Sequence, residues 1–199
     1  MATKEFTHLH VHTEYSMLDG AARLGDLFTH AKELGMKSMA TSDHGFLFGA
    51  FDFWRQAKAH DIKPIIGVEA YLTPGTHRTD RSRVRWGDGS RDDVSGGGAY
   101  THMTMWAETT EGMHNLFRAS SIASLEGQLY KPRMDREVLQ TYSKGLIATT
   151  GCPSGEIQTR LRLGQFDEAI QAASDFRDIF GKDNFYCEVM DHGLDIERN

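Results

Sequence analysis

The residues with the greatest capacity for chemistry come early, in Thr7-His8-Leu9-His10-Val11-His12-Thr13-Glu14-Tyr15-Ser16-Met17-Leu18-Asp19-Gly20. Three histidines alternate within five residues, and an aspartate followed by glycine closes the stretch. Alternate residues of a β-strand project from one face, so His8, His10 and His12 could present their imidazoles together. Such a face could hold one divalent ion or two adjacent ones, with Asp19 supplying negative charge. A lone strand histidine is ordinarily a packed or surface residue, but three in alternation favour metal binding. Spacing alone does not say which of the three would bind.

Similar residue types recur along the chain: Asp43 and His44 in Thr41-Ser42-Asp43-His44-Gly45, Glu69 in Gly67-Val68-Glu69-Ala70-Tyr71, His102 in Tyr100-Thr101-His102-Met103-Thr104, Cys152 in Gly151-Cys152-Pro153-Ser154-Gly155, and Asp191-His192 before Gly193. Glu69 follows an apolar run, where an unpaired carboxylate would be costly, so it calls for a cation. Asp43 reads as an acid that orients a histidine. His102 falls near the start of its strand, which weakens its claim. His44 and Cys152 have competing readings as turn residues, and Asp191-His192 is read as a turn. His30, His60, His77 and His114 are read as surface residues.

The elements that must position these groups follow from periodicity. Strands are predicted over 6–11, 37–41, 65–71, 101–106, 146–149 and 185–190. Helices are predicted over 24–34, with Leu24, Leu27, Phe28, Ala31 and Leu34 inward; over 50–60, with Phe51, Trp54 and Ala57 or Lys58 on one face; over 113–123; over 136–141, capped by Asp135; after a Ser154 cap, with Ile157 and Leu161 inward; and over 167–179, with Ala169, Ile170, Ala173, Phe176 and Phe180 inward. Strand–helix alternation predicts a parallel α/β sheet, and polar residues at several strand ends suggest a barrel with its site at the C-terminal mouth. A closed barrel needs more strands than these six. The 1–199 span therefore reads as one incomplete domain.

Residues 73–99 form a Gly- and Arg-rich insertion without periodicity. Its Arg78, Arg81, Arg83, Arg85 and Arg91 are partly balanced by Asp80, Asp88, Asp92 and Asp93. A solvated loop with local ion pairs is favoured there over a contact with a DNA backbone.

With 199 residues, 39% hydrophobic and 25% charged, the composition is that of an ordinary globular domain. A net charge of −6 argues against bulk electrostatic coating of nucleic acid. No signal peptide or membrane-spanning run is read, so the expected compartment is the cytosol. Of the two cysteines, Cys187 reads as core strand packing.

The ordered set His10-x-His12, Leu18-Asp19-Gly20, Thr41-Ser42-Asp43-His44-Gly45, Ile66-Gly67-Val68-Glu69-Ala70-Tyr71, His102 and Thr149-Thr150-Gly151-Cys152-Pro153-Ser154-Gly155 resembles the polymerase-and-histidinol-phosphatase (PHP) domain. Over essentially the whole chain it is most similar to the version at the N-terminus of bacterial DNA polymerase III alpha subunits. Glu14-Tyr15-Ser16-Met17-Leu18-Asp19-Gly20 and Gly151-Cys152-Pro153-Ser154-Gly155-Glu156 carry that closer likeness. The resemblance implies a distorted, TIM-like (β/α)7 barrel, C-terminally truncated here, with up to three divalent metals at its mouth. It implies His10, His12, Asp19, His44, Glu69, His102 and Cys152 as ligands and leaves His8 as a neighbour. Catalysis is expected to rest on His10, His12 and Glu69. Mixed His, carboxylate and Cys ligation points to Zn, Mn or Fe rather than Mg alone. The family closes its site with an Asp-x-His pair; none follows Cys152, so the last ligands are expected beyond Asn199.

The activity the resemblance implies is a metal-dependent 3′–5′ exonuclease that proofreads within a DNA-directed DNA polymerase. Its expected partners are the DNA primer 3′ end, the other polymerase domains, the sliding clamp and further replisome subunits, with no membrane. The fragment alone is expected to be inactive. The competing functions are a non-catalytic structural module of the polymerase and a histidinol-phosphatase-like phosphoesterase.

Overall fold

The computed structural model describes residues 6–89 and 93–197. Strands β1 (Ser38–Thr41), β2 (Lys63–Leu72), β3 (Thr101–Ala107), β4 (Arg133–Met134), β5 (Leu146–Thr149) and β6 (Phe185–Tyr186) form one open sheet. Its order is β1-β2-β3-β5-β6, with β4 also paired to β2. Helices α1 (Leu24–Glu33), α2 (Ala50–Ala59), α4 (Thr110–Leu125), α5 (Arg136–Tyr142), α6 (Glu156–Arg162) and α7 (Phe166–Phe180) alternate with the strands, and α3 (Ser95–Gly98) is a single short turn.

Strand periodicity divides β2 into two faces. Ile66, Val68, Ala70 and Leu72 point into the apolar core. Phe28 and Phe53 lie edge to face at 4.8 Å over the β1 end, while Leu116, Val138 and Phe176 cover the centre. Each such aromatic, fully buried, contributes roughly 1.5–3 kcal/mol. The other β2 face carries Gly67, Glu69 and Tyr71. The β2–β3 register sets Trp106, Thr104 and His102 beside them. Gly67 leaves room for Trp106, since a Cβ there would lie 2.4 Å from its ring.

The sheet is mixed rather than parallel, because β3 runs antiparallel to both β2 and β5. A parallel return normally needs a crossover helix. Among its described residues, the β2–β3 connection has only irregular chain and one turn. This reversal explains the position of His102: the start of β3 lies beside the end of β2, with His102 opposite Tyr71. Unforeseen β4 takes the β2 edge beside Tyr71 and Leu72, which β1 leaves free after Ile66.

Other expectations fail for local reasons. Residues 6–11 run beside β1 but form no strand. The His8 and Val11 carbonyls accept from Ala40 and Ser42 N–H, while Val11 N–H is taken by the Ser42 hydroxyl, which breaks the ladder. Helix α2 buries Ala50, Phe53 and Ala57, one step round from the expected face, and leaves Phe51 and Trp54 exposed. Leu34, Leu161 and Ile170 are likewise exposed. Gly155 rather than Ser154 caps α6, and Ala172 rather than Ala173 is buried on α7. Edge strand β6 pairs over two residues only, so Cys187 beyond it is exposed rather than in the core. Asp135 does cap α5, accepting from Val138 N–H.

Candidate metal centre

Glu69 is the hub of the polar face, and it is 1% exposed. Its Oε2 lies 2.9 Å from His12 Nε2, 2.9 Å from His44 Nδ1 and 3.7 Å from His10 Nε2. Its Oε1 lies 2.9 Å from His102 Nδ1. Asp19 Oδ2 joins from the rim, 2.8 Å from His44 Nε2 and 3.1 Å from His12 Nδ1. Six of the seven expected ligand residues therefore meet in one place. The seventh, Cys152, borders it, with Sγ 3.5 Å from His102 Nδ1.

Each side chain arrives by a different route. The 8–12 segment is drawn over the sheet by Trp106, whose indole N–H donates to the Leu9 carbonyl. His44 follows β1 at a bridge to Glu69, and Gly45 turns the chain there with φ 69°, a conformation open to glycine. Cys152 lies in the turn after β5.

Asp43 corrects one expectation: among the described residues it holds no histidine side chain. Buried, it accepts from Thr13 N–H and from the Thr13, Ser16 and Thr41 hydroxyls, which fixes the 13–20 loop that carries Asp19. Asp43→Asn replaces an acceptor that these donors need with a competing donor. We expect a loss of about 2–3 kcal/mol in urea unfolding, together with weaker metal binding.

Glu188 is a member of the cluster that the sequence reading missed. Its Oε1 is 2.5 Å from His10 Nδ1, and its other oxygen accepts from Thr149 Oγ1. It follows β6 at the end where the other groups gather, and that position was its only signal. Asp191-His192, read as a turn, forms an exposed one in which His192 Nδ1 contacts Glu197 Oε1 at 2.7 Å. His8 makes no contact with the cluster among the described residues.

The electrostatics are those of a crowded anion. Burial opposes ionisation of Glu69, but the close approach of His10, His102, His12 and His44 outweighs it and holds the pKa far below the usual carboxylate range. Burial also disfavours charge on His10, yet Glu188 and Glu69 raise its pKa to about 9. His44 is raised in the same way by Glu69 and Asp19. Burial, then the Glu69 charge, push the Cys152 thiol well above its ordinary value.

The residues fit a divalent cation on a direct structural test. Buried His12 Nε2, His44 Nδ1 and Glu69 Oε2 crowd together, yet none has a hydrogen bond of adequate geometry. Three triplets each offer ligand atoms within 4.8 Å of one another: His10, His12 and Glu69; His12, Asp19 and His44; and His44, Glu69 and His102. A fourth triplet, His77, Asp135 and Glu137, lies apart, and Arg78 already pairs with both of its acids.

A profile of the PHP domain matches residues 8–192. The chain belongs to the PHP domain family. Curated relatives described as DNA polymerase III subunit alpha align over nearly all of it: 60% identical in Saccharopolyspora erythraea (100% of this chain), 56% in Mycobacterium tuberculosis (99%) and 45% in Deinococcus radiodurans (96%). The chain spans 17%, 17% and 14% of those relatives. Among solved structures, a protein from Bifidobacterium adolescentis carrying a provisional assignment as a metal-dependent phosphoesterase aligns with TM-score 0.51 and 14% identity, over 98% of this chain and 81% of that one. That likeness concerns the fold. Among the described residues, no helix is long and apolar enough to cross a membrane.

Proposed function

We propose that this chain is the PHP portion of a bacterial DNA polymerase III alpha subunit, and that its cluster hydrolyses the terminal phosphodiester of a DNA 3′ end as a proofreading 3′–5′ exonuclease. One observation carries the hydrolytic reading: the buried Glu69 carboxylate lies against four imidazoles, and its Oε2, His12 Nε2 and His44 Nδ1 are left without a hydrogen bond. Relatives at 45–60% identity supply the polymerase context.

His10, His12, Asp19, His44, Glu69, His102 and Cys152 would hold the metal, which we take to be Zn, Mn or Fe, in up to three positions. When bound, divalent ions supply Lewis acidity toward a phosphoryl oxygen and lower the pKa of water. The chain's own residues set the frame. Glu69 fixes four rings at once, and Glu188 holds His10 Nδ1 so that Nε2 faces Glu69. His10, His12 and Glu69 are the residues on which catalysis should depend. The open sheet is read as part of a (β/α)7 barrel. The DNA primer end, the other polymerase domains, the sliding clamp and further replisome subunits are the proposed partners, in the cytoplasm.

The deciding experiment compares a 3′-mismatched primer with a phosphomonoester, using the intact polypeptide. Preferential removal of the mismatched nucleotide supports the exonuclease. Preference for the monoester would favour a phosphatase, and metal-free, inactive protein would favour a structural module.

Metal uptake should depend on pH with a defined sign. His10 holds its proton up to about pH 9 in the metal-free protein, so a metal must displace it. Apparent Zn affinity should therefore strengthen as pH rises from 6.5 toward 9, by up to about tenfold per unit from this residue. Chelator competition at several pH values would measure it. A flat profile would exclude His10 as a ligand.

A further inference from the structure

Within the insertion, the arginines divide into two kinds. Arg78 reaches three carboxylates, Glu126, Asp135 and Glu137, at 2.6–3.1 Å, and is structural. Arg81 and Arg83 form no ion pair among the described residues. Arg81 donates to the Gln128 carbonyl, and Arg83 to the Gly96 and Gly97 carbonyls and the Tyr130 hydroxyl. The neighbouring Asp80 is turned onto Ser82. Both exposed arginines thus lie along the loop that ends in Lys131.

Lys131 is half-buried and also lacks a carboxylate partner among the described residues. Its ammonium sits 5.3 Å from the Tyr71 ring centroid. Tyr71 stacks on His44 at 5.8 Å and meets His102 edge-on at 5.0 Å, so one ring separates Lys131 from the cluster. Tyr130, beside it, is 68% exposed and held at φ 61°, a costly conformation for a tyrosine. The Arg83 guanidinium lies 5.1 Å from its ring centroid.

We propose that Arg81, Arg83 and Lys131 bind successive phosphates of a single-stranded nucleic acid leading to the cluster, with Tyr130 as a stacking platform for one base. Unpaired cations attract a phosphate backbone, and an exposed aromatic ring takes any base. A chain with net charge −6 requires such a local strip to admit a polyanion. This rests on the hydrolase reading for the identity of the substrate, but its test does not need hydrolysis.

The test is photocross-linking of an oligothymidylate carrying 5-iododeoxyuridine to the intact polypeptide, in EDTA, with peptide mapping. The strip predicts a cross-link at Tyr130. Its apparent affinity should fall about 20-fold more steeply between about 50 and 200 mM salt than in the R81Q/R83Q/K131Q variant, as three single-strand phosphate contacts require. The charge-retaining R81K/R83K/K131R variant should restore that slope, which a merely structural role would not. No cross-link at Tyr130, or one with the same salt slope in the glutamine variant, overturns the proposal. Hydrolysis of bis(p-nitrophenyl) phosphate by the unsubstituted protein, measured separately with added Zn or Mn, tests the cluster alone. A negative result there would remove the hydrolase reading and leave the strip standing.

Discussion

Replacing Glu69 with glutamine should abolish hydrolysis at the DNA 3′ end and strip the cluster of metal while leaving the chain folded. The carboxylate is buried and lies within 3.7 Å of four imidazoles, whereas Asp19 and Glu188 reach only the opposite nitrogens of His12, His44 and His10. The amide has nearly the same shape but brings an N–H₂ toward nitrogens that would then have no anion to face. Loss of a supporting group behind a metal ligand typically costs 10–100-fold. Loss of the central charge should exceed about 100-fold in both activity and metal affinity. Primer hydrolysis and metal analysis on the same preparation would read both, with circular dichroism reporting the fold. Normal activity with a full complement of metal would remove Glu69 from the site.

The largest effect on stability is expected at Arg133, outside the cluster. Its guanidinium is 1% exposed and donates to four carbonyls: Gly127, Ala99, Arg78 and Asp80. These bonds tie the insertion, the approach to β3 and the end of the α4 loop to β4. Arg133→Ala would leave several buried carbonyls without donors, each costing roughly 1–3 kcal/mol where water cannot replace the bond. A total loss of about 4 kcal/mol in denaturant unfolding is expected, since part of the insertion can rehydrate. Arg133→Lys should recover little, because an ammonium cannot span the planar fork. A change below about 1 kcal/mol would mean that the insertion is not anchored there.

The cluster was more legible in the sequence than the sheet that builds it. Glu69 stood out because a carboxylate in an apolar strand needs a cation. His10 and His12 stood out by alternation, although that argument assumed a strand which the Ser42 hydroxyl prevents. Choosing them over His8 needed the family resemblance. His102 was undervalued because periodicity does not give strand direction; only the antiparallel register shows that the start of β3 and the end of β2 share a rim. Glu188 was hidden because 185–190 was read as a core strand, whereas β6 ends at Tyr186 and the carboxylate beyond it meets His10. The face of α2 was misjudged at Phe51 and Trp54, and on α7 Ile170 and Ala173 fall outside the face that Ala169, Phe176 and Phe180 do form, since apolar positions recur on two neighbouring stripes and only contact with the sheet chooses between them.

The central claim is that these imidazoles and Glu69 form a divalent-metal centre. X-ray absorption on the intact polypeptide, loaded with Zn and freed of excess ion, tests it most directly. The prediction is retained metal whose spectrum shows several imidazole ligands with carboxylate oxygen, lost in Glu69→Gln. A protein that keeps no metal, or holds it with a spectrum devoid of imidazole, would contradict the account.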